Sequence, residues 1–227
     1  MKNELKIIAH IETDFKTKFG IPRQSGLVDL EGLIVFEPEY RNDDALRGIE
    51  DFSHLWLLWS FSKAEREGWS PTVRPPRLGG NKRVGVFATR SPFRPNSIGL
   101  SSVKLLGTVK TEKGTALRIS GADLLNGTPI YDIKPYLAYT DSHPDAIGGF
   151  ADEKLKDALD VDFPTELLTL IPENKKAPLL ELLSEDPRPH YINDEERIYG
   201  FEFAEFEIKF KVKDNVLIVV DVLNLNA

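Results

Sequence analysis

Between residues 5 and 134 the chain is a succession of short β-type runs with few helical periods among them. The runs 5–11, 30–36, 52–61, 83–89, 98–107, 115–120 and 129–134 are rich in β-branched, aromatic and aliphatic residues, with glycine and proline between them. In 52–61, Trp56 and Trp59 alternate with Leu55, Leu57 and Leu58, the pattern of a buried strand. Trp56, Trp59 and Phe61 therefore read as core and not as a surface for stacking bases. Glu112-Lys113-Gly114 reads as the turn of a hairpin joining 105–110 to 115–120. Strands without helices to cover them bury their apolar face by closing on themselves. The predicted fold is mainly β: a single-sheet antiparallel or mixed β-barrel, not a Rossmann sheet.

The composition changes near residue 150, after the turn-rich stretch 143–149. From Asp152 onward there are 18 acidic and nine basic residues. Segments 165–170 and 177–184 read as helices with leucine faces, and Asp186-Pro187-Arg188-Pro189 ends the second. Segment 198–212 reads as one long alternating strand, followed by 216–223 after an Asp214-Asn215 turn. The predicted organisation is a barrel over 1–150 and a small α+β domain over 151–227. The latter is too small to be stable alone, so it should pack on the barrel.

Charge is distributed unevenly. The chain has 29 Lys/Arg against 36 Asp/Glu, a net charge of −7. Yet residues 70–111 carry Arg74, Arg77, Lys82, Arg83, Arg90, Arg94, Lys104 and Lys110 with no acid among them. Such a window makes a local positive field suited to phosphate or carboxylate. Its prolines and glycines, in 74–80 and 91–96, stiffen the frame that holds the guanidinium groups. The plainer alternative is a solvated face that balances acidic neighbours. Arg74, Arg77, Lys82, Arg83 and Arg94 are the predicted RNA contacts.

Several chemistries have no support. With no cysteine there is no disulfide, thiolate zinc site or cysteine nucleophile. His10, His54, His143 and His190 show no ligand spacing, so no metal is expected. No Gly-x-Gly-x-x-Gly or P-loop opens a helix. No apolar run reaches the roughly 18 residues of a membrane span, and the start lacks a secretory h-region. The expected location is the cytoplasm.

Two constellations remain. Arg90 to Ser101 places two arginines around Pro92-Phe93 and presents Asn96, whose amide offers both donor and acceptor edges. Asn126-Gly127-Thr128-Pro129 is first a hairpin signal, but it leads into Asp132, Lys134 and Tyr136, spaced to share one strand face. A carboxylate, an amine and a phenol there are either a solvent-facing network or a site of proton transfer.

These residues resemble the TsaA-like (YaeB, TrmO) family of tRNA methyltransferases. The matching stretches are 18–24 (Lys-Phe-Gly-Ile-Pro-Arg-Gln), 48–56, 71–80 (with Arg-Pro-Pro-Arg-Leu-Gly-Gly), 85–90, 93–101, 126–136 and 186–189. The resemblance implies a β-barrel that binds S-adenosylmethionine without a Rossmann fold, usually as a homodimer. It implies methylation of N6 of N6-threonylcarbamoyladenosine beside the anticodon of threonine tRNA, with no DNA or membrane partner. It places donor contacts on Pro22, Arg23, Gln24, Ser62, Lys63, Arg90, Leu100, Asn126, Gly127, Thr128 and Pro129. Asn126 stands where Asp is common in that family, and Ser62 where several members have His. Asp132 is the candidate acceptor for the N6 proton, with Lys134 and Tyr136 as alternates. The competing reading is a non-catalytic module that binds S-adenosylmethionine or RNA.

Overall fold

A computed structural model describes residues 4–62, 68–75, 78, 82–154, 158–188 and 194–226. Six strands close into an antiparallel ring. They are β1 (Ala9–Glu12), β2 (Glu31–Phe36), β3 (His54–Ser60), β6 (Ile98–Thr111), β7 (Gly114–Ser120) and β8 (Pro129–Pro135). Their hydrogen-bonded order is β1-β2-β7-β6-β3-β8, and β8 returns to β1. Alternation decides which side chains enter the ring: Leu55, Leu57 and Trp59 of β3 are buried, as are Ile11, Ile34, Val103, Leu117, Ile119 and Ile130. The Trp59 indole packs against β6 at Gly99. A Cβ on Gly99, its cross-strand partner, would sit 2.2 Å from the indole.

A second sheet, ordered β10-β11-β12-β9, is built from β9 (Asp160–Asp162), β10 (Tyr199–Phe203), β11 (Phe206–Lys213) and β12 (Val216–Asn224). The β9–β12 pair is parallel and the others antiparallel. Helix α3 (Glu173–Ser184) buries Leu179, Leu182 and Leu183 against it, after the short helices α1 (Ala138–Asp141) and α2 (Thr165–Leu168). Phe15, Val28 and Leu30, from the β1–β2 connection, belong to this second core. Gly20 takes φ +89° there, and a Cβ would meet the Phe201 ring at 2.4 Å. The connection is thus anchored to the second sheet by apolar packing while both its ends stay in the ring.

Several expected elements change shape. The first strand is confined to Ala9–Glu12 instead of beginning at residue 5. The run 83–89 forms only β5 (Val84–Gly85), paired with β4 (Thr72–Val73), before turning into a 3-10 segment at Val86–Ala88. The long strand expected over 198–212 is a hairpin. Ala204 takes φ +53° and Phe206 pairs back on Phe203, so the skipped beat at Glu205 in the alternation marks the turn. Helix α3 starts at Glu173, ahead of Pro178. The proline removes one backbone donor, and the leucine face holds the helix across it. The expected hairpins β6–β7 and β11–β12 are present.

Candidate functional site

Three connections emerge at one end of the ring. Trp59 pairs with Gly99 on one side and Ile130 on the other, so β3 ends where β6 and β8 begin. His10 pairs with Pro129, so β1 ends at the same level. The connections 13–30, 61–97 and 121–128 therefore share a rim. Every predicted donor contact except Leu100 and Pro129 lies in one of them, and those two stand at the rim ends of β6 and β8.

The rim is knitted together by polar contacts. Asn126 Oδ1 accepts the Thr13 N–H at 3.1 Å, and the Asn126 and Gly127 N–H groups donate to the Phe15 and Ile11 carbonyls, each at 2.8 Å. Thr128 is buried, and its hydroxyl closes the turn onto Leu125. Arg90, in 61–97, donates to the Gln24 side chain in 13–30. Gln24 donates to the Arg23 carbonyl, and Arg23 donates to the carbonyl of Asp186. Asp186 also holds Arg188 through two hydrogen bonds of 2.8 and 2.9 Å. The Asp-Pro-Arg motif of the second unit thus fixes the loop that carries Arg23 and Gln24. Ser62 lies half-buried just past β3, and Lys63 lies outside the described residues.

A carboxylate that the sequence reading passed over joins this cluster. Asp123 accepts the Ser101 hydroxyl at 2.5 Å, and Ser101 Oγ accepts the Trp59 indole N–H at 3.0 Å. Burial pushes the Asp123 carboxyl up. The Ser101 hydroxyl, the Ser25 N–H and the charge of Arg90 pull the other way. Ser25 Oγ in turn accepts the Ser102 N–H at 3.2 Å. The available signal was Ser101, a polar side chain at a ring-facing position of β6, 1 % exposed and requiring a partner.

The outer face of β3 and its neighbours carries the other predicted group. Leu58 pairs with Leu100 and with Asp132, and Trp56 pairs with Ser102 and with Lys134. Leu100 is 53 % exposed. Two strand spacings separate it from Asp132, about 10 Å. Lys134 and Asp132 form a partly exposed ion pair at 2.9 Å. Tyr136 lies past the far end of β8, against Trp56 with ring centroids 5.4 Å apart, and its N–H donates to the His54 carbonyl. The structure keeps Asp132 near the rim and carries Tyr136 to the opposite end.

Of the predicted RNA contacts, Arg74, Lys82 and Arg83 are exposed, and none forms an ion pair among the described residues. Arg83 donates to Thr72 Oγ1 at 2.9 Å. Arg94 is half-buried and donates to the carbonyls of Val86 and Thr89, at 3.2 and 2.7 Å. Arg77 lies outside the described residues. Lys110 is neutralised by Asp43 at 2.6 Å. An open groove of about 690 Å³ lies elsewhere, where Glu31–Arg118 and Asp14–Lys175 pair. It contains none of the predicted site residues.

The class defined by this geometry is a mainly β protein in which three loops carrying the candidate site share one end of an antiparallel ring, with a second sheet held to one of them. Sequence comparison names it. The tRNA-methyltransferase O N-terminal domain family matches residues 10–142 and the TrmO C-terminal domain family matches 156–225, and the chain belongs to the TrmO family. It is 44% identical over 219 residues to the tRNA (adenine(37)-N6)-methyltransferase of Escherichia coli K12, covering 91% of this chain and 92% of the relative. The enzyme of the same description from Eikenella corrodens is 42% identical over 173 residues, covering 76% and 97%. A crystal structure of TrmO from Pseudomonas aeruginosa superposes with a TM-score of 0.78 at 31% identity, over 99% of each chain.

Proposed function

We propose that this chain is an S-adenosylmethionine-dependent tRNA methyltransferase that modifies N6 of adenine 37, acting on its threonylcarbamoyl form in threonine tRNA. The observation that carries the proposal is the 44% identity to the Escherichia coli tRNA (adenine(37)-N6)-methyltransferase across nine-tenths of both chains. The threonylcarbamoyl substrate rests on the family resemblance.

The donor set at the rim suits S-adenosylmethionine. Arg90 offers a guanidinium for a carboxylate, and Asp123 offers a carboxylate for hydroxyl or ammonium groups. Leu100 offers exposed apolar surface, and Pro22, Gln24 and the 126–129 turn offer an edge for adenine. When bound, the donor supplies an electrophilic sulfonium methyl group. The protein's task is then alignment, worth on the order of 7 kcal/mol or more in favourable cases. Asp132 is the acceptor for the N6 proton, held by Lys134. Asp123 positions Arg90 and the Ser25 turn.

Arg74, Lys82 and Arg83 hold RNA phosphates, and Arg94 keeps the frame that presents them. Residues 1–150 carry the donor site, and 151–227 brace it through Asp186. A tRNA substrate places the protein in the cytoplasm, and a homodimer is its working form.

The test is incubation with labelled S-adenosylmethionine and tRNA carrying threonylcarbamoyladenosine, followed by nucleoside analysis. Label is expected in that nucleoside and absent with unmodified tRNA. Donor binding without any transfer would leave only a binding module.

A further inference from the structure

Trp69 and Phe87 stack on each other in the open, with ring centroids 6.3 Å apart and planes 25° apart. Trp69 is 51 % exposed and Phe87 75 % exposed. A large exposed apolar pair marks a contact surface when the backbone beneath it is rigid, because a mobile loop would tuck the rings away. Here it is rigid. Val86 is buried, its N–H donates to the Pro71 carbonyl at 3.0 Å, and its carbonyl accepts from the Thr89 N–H, the Thr89 hydroxyl and Arg94. Arg94 also holds the Thr89 carbonyl. On the other side the Ser70 N–H donates to the Phe93 carbonyl at 3.1 Å, which fixes the backbone beside Trp69. The turn Val86–Ala88 buries its first side chain and presents its second.

The surroundings identify the occupant. The pair lies within or beside the acid-free window, with exposed Arg74, Lys82, Arg83 and Arg90 close in sequence. Flat aromatic faces close in sequence to cations that form no ion pair among the described residues suit an unpaired nucleobase with its phosphates. Phe87 is three residues from Arg90, roughly 11 Å of chain at most, so a base resting on it would lie beside the donor rim. A second copy of this chain is the weaker occupant, because a protein interface would not require a stacked, planar pair beside that rim.

We propose that Trp69 and Phe87 form a stacking platform for an unpaired base of the RNA substrate, next to the nucleotide that enters the rim. The proposal rests on the tRNA reading above. It assigns a recognition role to Trp69, outside every matching stretch, and to Phe87, which lies in the stretch 85–90 without a role of its own.

The experiment uses the full chain and an anticodon stem-loop RNA with 2-aminopurine at unpaired loop positions. Phe87→Ala and Trp69→Ala should each weaken RNA binding by about tenfold or more. Donor affinity by calorimetry and the salt dependence of RNA binding should stay unchanged, because stacking releases no counterions. Phe87→Tyr should restore binding and Phe87→Leu should not. Quenching of 2-aminopurine by the wild type should disappear at one loop position in Phe87→Ala. The platform is overturned if both alanine variants bind RNA as the wild type does. It is equally overturned if Phe87→Leu rescues, or if sedimentation shows that the alanine variants dissociate a dimer and lose affinity only for that reason. Wild-type protein that neither binds nor methylates tRNA would instead sink the tRNA reading itself.

Discussion

The Ser101 hydroxyl, inside the ring on β6, donates to Asp123 at the rim while accepting the Trp59 indole N–H. One buried serine therefore couples the ring's largest core residue to the carboxylate beside Arg90. The ring and the rim are consequently not independent, and changes in one should be read in the other.

Asp123→Asn is expected to weaken donor binding at least several-fold, with a larger effect on KM for the donor than on kcat, because Arg90 and the Ser25 N–H lose the charge they face. The pH dependence has a defined sign. The folded-state pKa of Asp123 is raised by burial, so the stability linked to it is present below the unfolded value and is lost as pH rises through the folded one. Thermal unfolding from pH 3 to 8 should show the wild type losing ground to Asp123→Asn as pH rises. A constant difference across that range would contradict the assignment.

Arg74 and Arg83 are exposed and free of ion pairs among the described residues. Arg74→Ala and Arg83→Ala should weaken tRNA binding and reduce the slope of log K against log salt by about 0.7 to 0.9 each. Equal slopes in wild type and both variants would remove these arginines from the interface.

Asp132 and Tyr136 should separate. Asp132 pairs across β3 with the level of Leu100, whereas Tyr136 packs on Trp56 at the far end. Asp132→Asn is expected to lower kcat by about 10²-fold or more, the scale of a lost proton acceptor, with donor affinity retained. Tyr136→Phe should keep turnover. Single-turnover rates for the two variants decide it, and full activity in Asp132→Asn would rule out that acceptor.

Gly99→Ala should destabilise the fold by about 1–3 kcal/mol, because its Cβ would lie 2.2 Å from Trp59 and overpack the ring. Denaturant titration measures the loss. The same variant should also weaken donor binding, because displacing Trp59 disturbs Ser101 and through it Asp123. Normal donor affinity in a destabilised Gly99→Ala would separate core from rim.

Much of this was legible in the chain. Runs rich in β-branched, aromatic and aliphatic residues marked β2, β3, β6, β7 and β8, and turn residues fixed the β6–β7 and β11–β12 hairpins, since both signals are local. The 198–212 run was misread because one skipped beat in an alternation weighs little unless the turn geometry at Ala204 is known. Residues 83–89 were misread because strand propensity cannot show that Arg94 clamps them into a turn.

The sequence by itself determined the strand inventory, the segregated positive charge and the identities of the loop residues that the family resemblance gathers. These depend on neighbours a few positions apart. Tertiary structure alone decided that loops starting near residues 13, 61 and 121 share one rim, that Asp123 meets Ser101 and Arg90, and that Asp132 and Tyr136 part company. Those relationships follow from closing the ring, where strand register over long sequence separations sets which side chains meet.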